Sequence, residues 1–113
     1  MAFEQTVKVA GDNVTYLFNS ELKKYALMDT GFIQNNAGAY IMQRALEPNK
    51  GLEKSIKLKV AVDKDITGVK IKTVNPSGND TVNIFKNENP ELVELYRFYL
   101  NELVERGILT ETV

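Results

Sequence analysis

The segment from Asn89 to Gly107 constrains the fold most, because it is marked at both ends and amphipathic between them. Asn89 can accept the N–H bonds that a helix start leaves open, Pro90 has the φ of a first helical residue, and Glu91 and Glu94 suit the positive end of the helix dipole. Gly107 supplies the left-handed residue that ends a helix, and Ile108 behind it can pack back on Leu103 in a Schellman cap. Advancing about 100° per residue, Leu92, Val93, Leu95, Tyr96, Tyr99, Leu100, Leu103 and Val104 cover about half the circumference. An arc that wide needs apolar partners on several sides, which places this helix at the centre of the core.

The partners are read from alternation. Phe3, Val7 and Val9 alternate with polar residues, and Val14, Tyr16 and Phe18 do so again after Gly11-Asp12, which predicts a hairpin with a two-residue turn. Asn19-Ser20 suits the cap of a short helical turn through Leu27. The apolar runs 25–28 and 39–46 flank Asp29-Thr30-Gly31 and Asn35-Asn36-Ala37-Gly38, so a second hairpin is expected there. Ile56, Leu58, Val60 and Val62 form the clearest strand, followed by Val69, Ile71 and Thr73. Setting Val62 opposite Val69 brings Val60 to Ile71 and Leu58 to Thr73, with all of them on one face. Continuing through Asn75-Pro76-Ser77-Gly78 pairs Thr73 with Val82 and Ile71 with Ile84, completing a three-strand meander. The tail ending at Val113 is expected to fray. The fold class is α+β: two antiparallel β-sheets, hairpins plus a meander, packed around one long C-terminal α-helix. A length of 113 residues allows one core, so residues 1–113 are read as a single domain.

What the chain lacks narrows its chemistry. It has neither cysteine nor histidine, which removes disulfides, Cys/His zinc sites, thiol nucleophiles and imidazole bases together. No cofactor or metal is expected. With 14 Lys+Arg against 15 Asp+Glu the net charge is −1, so neither nucleic acid nor a membrane is favoured as a partner. Met1-Ala2-Phe3-Glu4 does not open a leader segment, and a cytoplasmic chain is the expectation.

Four groups of residues are candidates for function. Leu27-Met28-Asp29-Thr30-Gly31 resembles the apolar-apolar-Asp-Thr-Gly signature of retroviral-type aspartic proteases, in which two chains each supply one aspartate. Phe32 stands where that family has Ala or Ser, and neither its second apolar-apolar-Gly stretch nor its Gly-rich flap is present, so a turn is the better reading. Lys57, Lys59, Lys70 and Lys72 gather on the outer face of the meander, with Lys59 opposite Lys72. This basic stripe could hold a phosphate, an acidic metabolite or the glutamate-rich helix face of another copy, set against the plain alternative of a solvated strand face. Asn35, Asn36, Tyr40 and Arg44 form a polar group able to grip a carboxylate, with turn chemistry as the plain alternative. Phe98 falls among Glu91, Glu94, Asn101, Glu102 and Glu105, where it is either an interface anchor, for a homodimer or another protein, or a lone exposed ring.

The order of these features carries a resemblance along the whole chain: the hairpin from Phe3 to Phe18, Tyr25 to Phe32, Ala39 to Leu46, the lysine-rich meander, and Asn89-Pro90-Glu91-Leu92 to Gly107. In this the chain resembles a family of uncharacterised small proteins from lactic-acid bacteria, catalogued as domain of unknown function number 1831. The resemblance implies two sheets against a single long helix and a link to amino-acid metabolism, partly through a distant likeness of fold to S-adenosylmethionine decarboxylases. Those enzymes cut themselves at a serine and rely on histidine and cysteine. This chain has Ser20, Ser55 and Ser77 but neither of the others, so an uncut chain is expected.

Two functions from different classes follow. One is a non-catalytic binding or regulatory module for a small metabolite or a protein partner. The other is a small enzyme of amino-acid metabolism working through Asp29, Tyr40 and Arg44, which requires those groups to line one pocket.

Overall fold

In the computed structural model, which describes residues 3–86 and 89–112, seven strands and three helices follow one another. They are β1 (Thr6–Val7), β2 (Thr15–Phe18), α1 (Lys24–Thr30), β3 (Ile33–Gln34), β4 (Tyr40–Ala45), α2 (Gly51–Lys54), β5 (Lys57–Val62), β6 (Val69–Val74), α3 (Pro90–Glu105) and β7 (Leu109–Thr112). The strands form two antiparallel sheets, one ordered β1-β2-β7 and the other β3-β4-β5-β6. The fold is α+β, as the sequence predicts.

Helix α3 starts and stops on the predicted residues. The Asn89 side chain accepts the Glu91 amide at 3.0 Å, and Pro90 opens the helix. At the other end the Ile108 amide reaches the Leu103 carbonyl at 2.9 Å and the Gly107 amide reaches Val104 at 3.0 Å, the two bonds of a Schellman cap, with Gly107 at φ +79°. Of the predicted arc, Leu92, Tyr96, Leu100 and Leu103 are buried while Val93, Leu95, Tyr99 and Val104 are half-buried. One core joins this stripe to Tyr16, Phe18 and Leu109 of the small sheet and to Tyr40, Met42, Leu58, Val60, Val62, Val69 and Ile71 of the large one.

The register of β5 and β6 is also the predicted one, with Val62 opposite Val69, Val60 opposite Ile71 and Leu58 opposite Thr73. Beyond it the structure departs from expectation in four places. The third meander strand is cut short: Thr73 takes the Val82 amide at 2.8 Å as predicted and Val74 bridges Thr81, but Ile84 lies in a short 3-10 turn and does not reach Ile71. Asn83 causes this: its side chain accepts the Phe85 amide at 2.9 Å, a local bond that competes with strand pairing. The free end of β6 is taken instead by Glu4, whose backbone exchanges two bonds with Val69 at 3.1 and 2.8 Å.

Residues 25–28, read as one arm of a hairpin and, through Leu27, as part of a helical turn, belong to α1, which starts after Lys23 rather than at Asn19-Ser20 and buries Leu27 and Thr30 one turn apart. A four-residue apolar run carries no period that separates helix from strand. The second hairpin survives in shortened form as β3 and β4 around the Asn35–Gly38 turn. The first hairpin pairs as expected, but its strands are joined by residues 8–14 rather than by a two-residue turn. Residues 109–112, expected to fray, form β7 along β2, while Val113 lies outside the described residues, as do Met1 and Ala2.

Candidate functional site

The outer face of the four-stranded sheet is built by register alone. Side chains alternate, so one row across the sheet carries Ile33, Ile41, Ala61 and Lys70, the next carries Gln43, Lys59 and Lys72, and the next Ala45, Lys57 and Val74. Among the described residues, two concavities meet on this face. A groove of about 520 Å³ is lined by Gly31, Ile33, Asn35, Ile41, Gln43, Arg44 and Leu52. A second, of about 180 Å³, is walled by Lys59, Lys70, Lys72 and Phe3 over Ala61, and meets the first at Asn35 and Ile41. The groove is therefore apolar at one end and basic at the other.

The basic end is uncompensated. Lys59 stands directly across from Lys72, and Lys70 has its ammonium 4.3 Å from the centre of the Phe3 ring. Among the described residues none of these three lysines forms an ion pair, and no residue lining either concavity is acidic. Like charges held side by side on a strand pair are destabilising until an anion joins them. Lys57 lies one row further on, outside both concavities.

The other predicted residues do not come together. Asp29 is exposed in the last turn of α1, whose end is made by Gly31 at φ +107° with its amide on the Met28 carbonyl at 3.1 Å. Asp-Thr-Gly is thus a helix terminus, and not the loop that brings one protease aspartate against its twin. Tyr40 shares the strand face of Arg44, as its parity predicts, but that face is the inner one and Tyr40 is buried in the core. Arg44 sits at the rim, donating to the Thr30 carbonyl at 3.4 Å and to the Gln43 carbonyl at 2.9 Å, a cation at the negative end of α1. Asn35 lines both concavities while its side chain accepts the Ala37 and Ala39 amides at 3.0 Å, and Asn36 is exposed in the same turn. Phe98 is 58 % exposed on α3, edge-on to Tyr99 at 5.5 Å, and lines neither concavity. Among the described residues no cluster of acidic side chains could hold a metal ion, and no helix is long and apolar enough to cross a membrane.

Sequence reasoning missed one charged group altogether. Asp12, whose side chain is fully buried, accepts the Tyr96 hydroxyl at 2.6 Å, both Arg97 nitrogens at 2.9 and 2.5 Å, and the Val14 amide at 3.0 Å. Arg97 also reaches the Tyr16 hydroxyl at 3.2 Å. Burial pushes the Asp12 carboxyl up, but the bonds from Arg97, Tyr96 and Val14 outweigh it and hold it below the ordinary carboxylate value. Burial raises both tyrosine hydroxyls; the Asp12 carboxylate raises Tyr96 further, while at Tyr16 Arg97 opposes the rise without reversing it. Among the described residues every buried polar atom of the group has a partner, so it ties the 8–14 loop to α3. Its one local sign is Arg97 itself, a cation with apolar Val93 and Leu100 four residues before and three after.

The geometry can be set beside known proteins. A family model, DUF1831, described as "Putative amino acid metabolism", matches residues 1–110. The crystal structure of a DUF1831 family protein from Lactobacillus plantarum is similar over 99 % of both chains, with 43 % sequence identity and a TM-score of 0.89. No curated protein sequence matches the chain.

Proposed function

The chain belongs to the DUF1831 family, and from that premise we propose that it is a cytoplasmic, non-catalytic binding module of amino-acid metabolism that takes its ligand on the outer face of the four-stranded sheet. The observation that carries this reading is the union of three lysines, without an ion pair among the described residues, with an apolar groove on one continuous face. Its volume, about 520 Å³ at the apolar end, falls in the range of about 300–1,000 Å³ usual for ligand clefts. The enzyme alternative needed Asp29, Tyr40 and Arg44 in one pocket, and they lie on a helix surface, in the core and at a groove rim respectively.

Thermal-shift measurements against amino acids, their metabolic derivatives and S-adenosylmethionine derivatives test it. A ligand at tenfold its Kd adds about 1.4 kcal/mol to the stability of the native state, a rise of several degrees in Tm. Hits are expected to weaken when Lys59, Lys70 and Lys72 are changed together to glutamine. Hits indifferent to that change would remove the sheet face as the site, and a screen without hits would remove the metabolite reading in favour of a protein partner.

The second reading concerns α3, where Phe98 stands exposed among Glu91, Glu94 and Glu105, with half-buried Glu102 beside it. None of these glutamates forms an ion pair among the described residues. We propose this ridge as a protein contact, either with a second copy or with another chain, anchored by the ring.

A further inference from the structure

The sheet face distinguishes between kinds of amino-acid-derived ligand, an inference that rests on the binding reading above. A free amino acid carries a carboxylate and an ammonium on the same carbon. The carboxylate has three lysines to meet it, but the ammonium has no carboxylate to meet: no acidic side chain lines either concavity among the described residues. It would instead be set down beside Lys59, Lys70 and Lys72, where like charges already face one another. A carboxylate without a free ammonium avoids that repulsion and keeps the attraction.

The other half of the face selects the rest of the molecule. Neighbouring strands lie about 4.8 Å apart, so the Ile41 and Gln43 positions of β4 are one spacing from Ala61 and Lys59 of β5. A carboxylate drawn to Lys59 and Lys72 therefore lies in the concavity that meets the apolar groove at Ile41, and Ile33 and Leu52 line that groove beyond it. Ile33 is 72 % exposed and Leu52 44 % exposed, apolar surface that such a chain would cover. We infer that this face binds aliphatic carboxylates that carry no free α-ammonium group, the class of the branched α-keto acids and N-acylated amino acids. Lys59, Lys70 and Lys72 hold the carboxylate, and Ile33, Ile41 and Leu52 hold the chain.

Amide-resolved NMR titration of the full chain tests the assignment with 4-methyl-2-oxopentanoate, N-acetyl-L-leucine, L-leucine and inorganic phosphate as probes. The first two are expected to shift the amides of both halves saturably, at Ile41 as well as at Lys59 and Lys72. L-leucine should bind about tenfold or more weakly, since the repulsion between its ammonium and the three lysines offsets about one charge-assisted contact, which is worth a factor of that size. Lys59→Gln with Lys72→Gln should weaken the keto acid about tenfold or more while the unperturbed amides report an intact fold. Leu52→Ser should weaken the keto acid and leave phosphate unaffected. L-leucine binding as tightly as the keto acid on this face would overturn the ligand class and leave the binding reading standing, as would phosphate matching the keto acid. Probes that all shift other surfaces, or none, would overturn both.

Discussion

Arg97→Ala removes two of the four donors on the buried Asp12 carboxylate, at 2.9 and 2.5 Å, and leaves only the Tyr96 hydroxyl and the Val14 amide. Breaking a buried ion pair from one side costs about 3–5 kcal/mol, because the remaining charge stays out of water without its partner. Here the Arg97 side chain keeps 32 % of its surface exposed, so water enters where the guanidinium was and the cost falls to about 2–4 kcal/mol. Urea unfolding followed by circular dichroism measures it. The pH dependence supplies a sign as well as a size. In the wild-type chain the Asp12 carboxyl is held below its ordinary value of 3.8, so the stabilisation is complete above that value and is lost as pH falls through the folded pKa. In Arg97→Ala burial acts without the cation and raises the carboxyl, so the variant gains stability as pH falls from about 7 towards about 4. The gap between the two proteins should therefore narrow over that interval, and Asp12→Asn in the variant background should recover part of the loss at neutral pH. A cost under about 0.5 kcal/mol, the size of an ordinary surface change, would refute the claim that this pair ties the loop to the helix, as would a gap constant with pH.

Leu103→Ala should cost about 2–5 kcal/mol by the same urea assay, because the Leu103 side chain is wholly buried and its loss leaves a cavity. Lys72→Glu should stabilise the chain by about 0.2–1 kcal/mol by relieving its repulsion with Lys59, while weakening any anionic ligand in the thermal-shift assay; a gain in both would remove the sheet face as an anion site. Phe98→Asp should change stability by no more than about 0.5 kcal/mol, since the ring is largely exposed. If it leaves sedimentation behaviour and partner capture unchanged, Phe98 is a lone surface ring.

The legible half of the site was the strand parity that gathers Lys59, Lys70 and Lys72 on one face, with Lys59 opposite Lys72. The apolar half was not legible. Ile41 falls in the apolar run 39–46, but no pattern in the sequence singles out Ile33 or Leu52. They meet because β3 folds back on β4 and α2 closes the end of the same groove. Tyr40 shows the reverse: its parity with Arg44 was right, but parity cannot say which face of a strand turns inward. That was decided by Tyr40 and Met42 joining the core with Leu58 and Val60.

The sequence by itself determined α3 with both of its caps, the register of β5 against β6 and the absence of imidazole and thiol chemistry. Each of these rests on composition or on residues close along the chain, where period and turn chemistry act directly. Only the tertiary structure decided that residues 25–28 join a helix running on to Thr30 rather than a hairpin arm, that residues 109–112 pair with β2, and that Asp12 finds Arg97 across 85 positions. A short apolar run, a terminal strand and a buried charge have no preferred state until a distant partner supplies the contact that stabilises it.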